Sequence, residues 1–162
     1  MKTLLILRHA KSDWGNSRLA DYDRPLNERG KGDAPRMGQL LRDENIVPDL
    51  IITSSAERAQ TTAELAAIAS GYENEITYTR RLYHAAPDAY IELLQEMGGD
   101  HACVMVVGHN PGIAYLVELL TGADEPMPTA ALAQVELPIS QWAELDEGTA
   151  GKLVNVWIPR GL

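Results

Sequence analysis

The sequence predicts an α/β protein with a mostly parallel sheet. Three short apolar runs, in Leu4–Leu7, Asp49–Thr53 and Ala102–Val107, lack helical spacing and read as strands buried on both faces. A helical pattern of apolar residues follows each, and strands alternating with helices build a parallel sheet. Ala131–Leu137 and Lys152–Ile158 instead alternate apolar with polar residues, which makes them an antiparallel pair at the sheet edge.

After the first strand, Gly15–Asn27 is a polar loop rich in Gly, Ser, Asp and Pro. Asn27 caps a helix through Met37, Leu40 and Leu41 to Asp43, its regular part beginning near Asp33 because Gly30, Gly32 and Pro35 crowd its start. Behind the second strand, Ser54 or Ser55 caps a helix from Ala56 to Ala69, with apolar positions at Ala59, Ala63, Leu65, Ala66 and Ile68, and Gly71 ends it. Glu75–Tyr78 is a short strand and Arg80–Ala86 a loop. Pro87 opens a helix through Met97, stopped by Gly98 and Gly99. The third buried strand runs into Gly108-His-Asn-Pro-Gly112, a helix over Ile113–Leu120 and a loop over Thr121–Pro128. No repeat, linker or low-complexity tract interrupts the chain, so residues 1–162 are expected to form one domain.

Composition narrows the function classes. A chain of 162 residues, 45% hydrophobic and 23% charged, has the make-up of an ordinary globular protein. Its net charge of −9 disfavours nucleic acid as a partner and slows the approach of small polyanions. That charge matters less for a phosphate carried on a protein with a complementary surface. Cys103 is the only cysteine, which excludes an internal disulfide and a thiolate metal cluster, and a small buried hydrophobe is its expected role. No apolar run reaches membrane-spanning length, and the N-terminal residues lead straight into a strand, so the cytoplasm is the expected location.

The chemistry lies at the strand ends. The first ends in Arg8 and His9, with Lys11, Ser12, Asp13 and Trp14 close behind; the second in Ser54 and Ser55, with Arg58 in the following helix; the third in Gly108 and His109. In a parallel sheet these ends share one edge, where ligands bind. Two Arg, two His and helix N-terminal amides then suit a phosphoryl group. Taken singly, His109 reads equally as a hydrogen-bonded turn residue, Arg58 as a solvated helix residue, and Arg24 as a loop ion pair with Asp21 or Asp23. The chemistry that needs the whole set is phosphoryl transfer to an imidazole, with fixed cations around the phosphoryl oxygens. The histidine spacing carries no H-E-x-x-H metal signature, neither serine sits in a G-x-S-x-G elbow, and no Walker loop is present.

Leu7-Arg-His-Ala-Lys-Ser12, Ser54-Ser-Ala-Glu-Arg-Ala-Gln-Thr-Thr62 and Val107-Gly-His-Asn-Pro-Gly112, in that order, resemble the histidine phosphatase superfamily, the phosphoglycerate-mutase-like proteins. Arg24-Pro-Leu-Asn27 and the short chain resemble its SixA-type phosphohistidine phosphatases. The resemblance implies a three-layer α/β/α sandwich with an antiparallel edge strand. It implies His9 as the nucleophile, Arg8 and Arg58 as the clamp on the phosphoryl oxygens, His109 as a second imidazole, and no cofactor or metal. Arg24 matches an extra phosphate-pocket arginine, and Ser12 and His84 join it as substrate-binding candidates.

Two departures are informative. Ala10 stands where the more familiar motif has Gly, and a side chain this small still fits. Arg81-Leu-Tyr-His-Ala85 carries no glutamate where many relatives keep a proton donor. An alkoxide leaving group needs a general acid far more than an imidazole does, so the missing acid favours a P–N substrate. His84 as an imidazolium, or Asp13, Asp21 or Asp23, are the other candidate donors. Short connections predict an open pocket suited to a phosphorylated protein side chain. The expected function is therefore a metal-independent phosphatase acting on protein phosphohistidine. The alternatives are a phosphatase of small phosphate esters, such as a sugar phosphate or nucleotide, and a phosphate-binding module without turnover. Trp14, Trp142 and Tyr83 are exposed-aromatic candidates with packing as their default role; physiological partner and oligomeric state are left open.

Overall fold

The computed structural model describes residues 1–162, Gly161 by its backbone alone. Six strands form one sheet: β1 (Lys2–Arg8), β2 (Leu50–Ser54), β3 (Ile76–Thr79), β4 (Cys103–Gly108), β5 (Leu132–Leu137) and β6 (Lys152–Trp157), in the order β3-β2-β4-β1-β5-β6. The first four in that order are mutually parallel. β5 runs against β1, and β6 runs against β5 with a register shift at Gln134 and Val135. The antiparallel pair therefore lies at the edge, as its alternating pattern predicts. Arg8 stands opposite Gly108, and Thr53 opposite Val107. The C-terminal ends of β1, β2 and β4 thus share one edge.

Strand periodicity of two sorts the central residues onto two faces. Leu5, Leu7, Ile51, Met105 and Val107 pack beneath α1 (Glu28–Asp43) and α2 (Glu57–Ser70). Leu4, Ile6, Ile52, Val104 and Val106 pack beneath α3 (Pro87–Met97) and α4 (Gly112–Thr121). Burial on both faces explains why these strands read as unbroken apolar runs, and the result is the three-layer α/β/α sandwich. Among the described residues no helix is long and apolar enough to cross a membrane.

Four local readings need correction. First, α1 begins at Glu28, not near Asp33, because the Asn27 side chain accepts from Gly30 N at 2.9 Å and caps the helix there. Pro35 therefore sits inside the helix. It leaves the Lys31 carbonyl without a donor, and Lys31 is exposed to water. Second, the N-cap of α2 is Ala56, without a side-chain cap; Ser54 accepts from Ala56 N but is also held by His109. Third, Ile68 is 78% exposed, because the buried side of α2 runs through Ala59, Ala63, Ala66 and Ala67. Small residues on that side let α1 approach so closely that a Cβ on Gly38 would meet Ala66 O at 2.3 Å. Fourth, Trp142 is not exposed but fully buried, in the packing role expected of it by default, its Nε1 donating to His101 O at 2.7 Å and its ring on Gly98 where a Cβ would collide.

One packing contact ties the fold to the loop after β1. A Cβ on Gly30 would lie 2.1 Å from Lys11 O, the carbonyl that accepts from Asn27 N. Gly30→Ala must push the first turn of α1 away from this loop. It should destabilise the fold by about 1–3 kcal/mol, the usual range for overpacking. Thermal unfolding checks this, and an unchanged Tm would refute the close contact.

Candidate active site

His9 follows β1 directly and is 6% exposed. Its amide donates to Gly108 O at 3.0 Å, binding the end of β1 to the end of β4. On the ring, Nδ1 lies 2.8 Å from Ala10 O. A carbonyl can only accept, so the proton belongs on Nδ1 and the lone pair on Nε2 stays bare. Burial lowers the His9 pKa to about 4, helped by the charges of Arg58, Arg8 and Arg24 and opposed by the Ala10 hydrogen bond. The imidazole is therefore neutral at pH 7, the form in which nitrogen is nucleophilic. Ala10, fully buried, donates its amide to Thr62 Oγ1, and Thr62 in turn donates to Arg58 O at 2.7 Å. This chain locks the loop after β1 to the first turns of α2.

His109, at the end of β4, lies with its ring centroid 5.1 Å from that of His9. Its Nε2 is 2.8 Å from Ser54 Oγ. Ser54 Oγ also accepts from Ala56 N, and with its hydroxyl donating to Nε2 the ring is the Nδ1–H tautomer. The His109 proton then sits on Nδ1, a buried atom with no hydrogen-bond partner. Burial first, then His9 and Arg58, lower its pKa to about 3. Gly108 is required beside it, since a Cβ there would meet the Tyr90 hydroxyl at 1.9 Å, the same hydroxyl that accepts from His109 N.

Three guanidiniums complete the site. Arg58, 5% exposed, donates to Asp21 O at 2.7 Å and to Asp21 Oδ2 at 3.0 Å, leaving Nε without a partner. Arg8 donates to Met127 O at 3.2 Å, and its buried Nε is likewise unpartnered. Burial and the charge of Arg58 pull the Arg8 pKa down, so these two cations repel across a space that an anion would stabilise. Arg24 is 7% exposed, donates to Ser12 Oγ at 2.7 Å and to Asp21 Oδ1 at 2.9 Å, and stacks on the ring of Trp14 at 3.4 Å. Trp14 itself is 71% exposed.

The residue that joins these groups is Asp21, in a 3-10 turn over Asp21–Asp23. It accepts from Arg24, Arg58 and the Tyr83 hydroxyl, the last at 2.7 Å. Partial burial raises its pKa, but these hydrogen bonds outweigh that and hold the carboxyl well below the usual range. Asp21 is therefore an ionised counter-ion and unfit to donate a proton at neutral pH.

Arg8, His9, Arg58 and His109 thus come together around one space. Arg24 joins them through Asp21, and Ser12 turns its hydroxyl to Arg24. His84 lies at the rim beside His109 and, among the described residues, makes no hydrogen bond to the other members of the site: it is exposed, has φ +56° and stacks on Tyr83 with centroids 3.9 Å apart. It borders a cavity of about 230 Å³ shared with His109 and Tyr115. The sequence places Ser54 at the site as a strand end but gives no sign of Thr62, Tyr83 and Tyr90 as its partners, and offers Asp21 only as a proton donor or a loop ion pair. The one available signal was Asp21 lying three residues before Arg24. Among the described residues no group of three or more His, Cys, Asp or Glu is placed to hold a metal ion.

Two imidazoles kept neutral by burial make stability depend on pH. Unfolded, both histidines protonate near their ordinary value of 6.5, whereas folded His9 waits until about 4 and His109 until about 3. The unfolded state therefore binds more protons below pH 6.5, and this contribution, complete above that pH, is lost progressively down to pH 4 and below. Tm should fall between pH 7 and pH 4, and less steeply in His109→Asn. A Tm that stays flat across this range would show that the two rings take up protons in the folded state as readily as in the unfolded chain.

Comparison with known proteins adds to this geometry. Residues 4–85 match the model of the histidine phosphatase superfamily (branch 1). An uncharacterised protein of Mycobacterium tuberculosis is 33% identical over 165 aligned positions, covering 95% of this chain and all of the relative. A SixA structure from Agrobacterium tumefaciens, described as a candidate phosphohistidine phosphatase, superposes with a TM-score of 0.83 at 28% identity, covering 98% of both chains. The protein histidine phosphatase SixA bound to tungstate superposes at 0.82 over the same shares, at 24% identity, a likeness of fold.

Proposed function

The chain belongs to the histidine phosphatase superfamily, and on that premise we propose that it dephosphorylates phosphohistidine carried by a protein, with His9 as nucleophile. In the first step His9 Nε2 bonds to phosphorus as the P–N bond to the substrate imidazole breaks. The departing nitrogen keeps the bond pair and takes its proton from water. In the second step a water oxygen attacks phosphorus, the P–Nε2 bond breaks with its electron pair staying on Nε2, the proton this water gives up neutralises the hydroxide left by the first step, and orthophosphate and neutral His9 result. Arg8, Arg58 and the Nδ1–H of His109 would surround the phosphoryl oxygens, where charge accumulates. Arg24 acts through Asp21, fixing the counter-ion that orients Arg58. In this reading residues 1–162 work as one catalytic domain.

The observation that carries the substrate class is the hydrogen bonding of Asp21, whose carboxylate accepts from Arg24, Arg58 and the Tyr83 hydroxyl and is thereby held ionised. The carboxylate within reach of the clamp cannot act as general acid, and Asp13 is turned back onto the amide of Gly15 at 2.6 Å. An imidazole leaving group tolerates that lack far better than an alkoxide. The likeness to SixA structures supports the same class. The exposed stretch from Asp13 to Ala20 beside the site leaves room for a protein-borne group.

A second reading, hydrolysis of small phosphate esters, is favoured by the cavity between His84, His109 and Tyr115, which is of a size to seat a small leaving group. Initial rates on a phosphohistidine protein and on an aryl phosphate, without added metal, separate the two. Faster P–N cleavage is expected. Faster ester cleavage, reduced in His84→Gln, would select the second reading and make His84 the donor.

A further inference from the structure

Beside the phosphoryl site runs a shallow groove of about 350 Å³, lined by Arg8, Lys11, Arg29 and Arg160 together with Thr129 and Ile158. Among the described residues no carboxylate lines it. This is unexpected in a chain with 23 acidic against 14 basic residues. The four cations come from separate places: the end of β1, the loop after it, the first turn of α1, and the 3-10 turn Pro159–Gly161 that follows β6. Arg29 is held from behind by Asp33 at 3.5 Å, a carboxylate whose side chain is 10% exposed and faces away from solvent. Among the described residues Lys11 and Arg160 make no ion pair, and both are exposed.

We propose that this groove is a second anion-recognition site that binds an acidic segment flanking the phosphorylated residue of the protein substrate. It deepens the phosphohistidine reading and rests on it. Arg8 belongs to both sites, so a carboxylate in the groove lies within a few extended residues of the phosphoryl group, each adding about 3.3 Å. Ile158 and two prolines give the groove an apolar wall for peptide backbone. The strongly acidic remainder of the surface repels long polyanions such as nucleic acid, which would have to cross it, whereas a short acidic segment meets the groove alone.

The test uses two phosphohistidine peptides of equal length, one with Asp and Glu flanks and one with Ser and Gly flanks, on wild type and on Lys11→Glu/Arg160→Glu. Wild type should prefer the acidic peptide by about tenfold in kcat/KM, carried by KM, as expected for charge complementarity at an exposed site. The double variant should lose that preference and keep its kcat on the neutral peptide, and about 0.5 M salt should erase the preference in wild type. Equal KM for the two peptides, or a preference that survives in the double variant, overturns the proposal. If neither peptide is cleaved while an aryl phosphate is, the phosphohistidine reading fails. Fluorescence anisotropy of the unphosphorylated peptides then decides the groove by itself. Tighter binding of the acidic peptide by wild type only supports it. Equal binding, or a single-stranded oligonucleotide binding more tightly than the acidic peptide, overturns it.

Discussion

His9→Ala is expected to lower kcat by at least about a thousandfold while the protein stays folded, since removal of a nucleophile leaves only binding and electrostatic stabilisation. The fold should survive because the lost ring is neutral. Its removal takes away one hydrogen bond to Ala10 O and the contact with His109, and strands no buried counter-charge. A second readout separates loss of chemistry from loss of binding. Wild type quenched in base during turnover should retain protein-bound phosphate that acid releases, the behaviour of a P–N bond, and His9→Ala should retain none. Turnover within tenfold of wild type in a folded His9→Ala protein would remove His9 from the nucleophile's place.

Arg58→Ala carries the second largest effect, a loss of about 100- to 1000-fold in kcat/KM, the usual result of deleting one preorganised donor to a developing oxyanion. Arg58 is buried, its Nε is unpartnered, and its fork is held in place by the backbone and side chain of Asp21. Lysine cannot reproduce that two-point hold, so Arg58→Lys should recover little activity. Asp21 keeps Arg24 and Tyr83 as partners, so its carboxylate is not left bare and the fall in Tm should be modest. A loss below about fivefold in kcat/KM would place the charge stabilisation elsewhere, with Arg8 and Arg24 the residues to test next.

The parts of this structure legible in the sequence are those set by runs and order. Leu4–Leu7 and Val104–Val107 announce buried strands because both faces are covered, and parallel order alone brings Arg8, His9, Arg58 and His109 to one edge. What escaped the sequence depends on contacts between distant segments. Gly30 looks like a helix breaker until Lys11 O is seen against it, and Trp142 looks like a surface aromatic until Gly98 makes room for it. Asp21 has the same cause. A loop aspartate 37 residues from Arg58 carries no periodic signal, and only the folded chain shows one carboxylate held by two guanidiniums and a phenol.

The same packing sets two of the three tryptophans apart as optical reporters, and Trp157→Phe removes the third, which is half-buried at the end of β6. Trp14 lies open to water against the guanidinium of Arg24, at the mouth of the site, whereas Trp142 is sealed in the apolar layer beneath α3. Their emission should therefore differ in colour and in cause. An oxyanion that shifts Arg24 alters the red component from Trp14 and leaves the blue component from Trp142 in place, while denaturant moves the blue component. Occupancy of the site and integrity of the fold can then be followed in one cuvette without an added label.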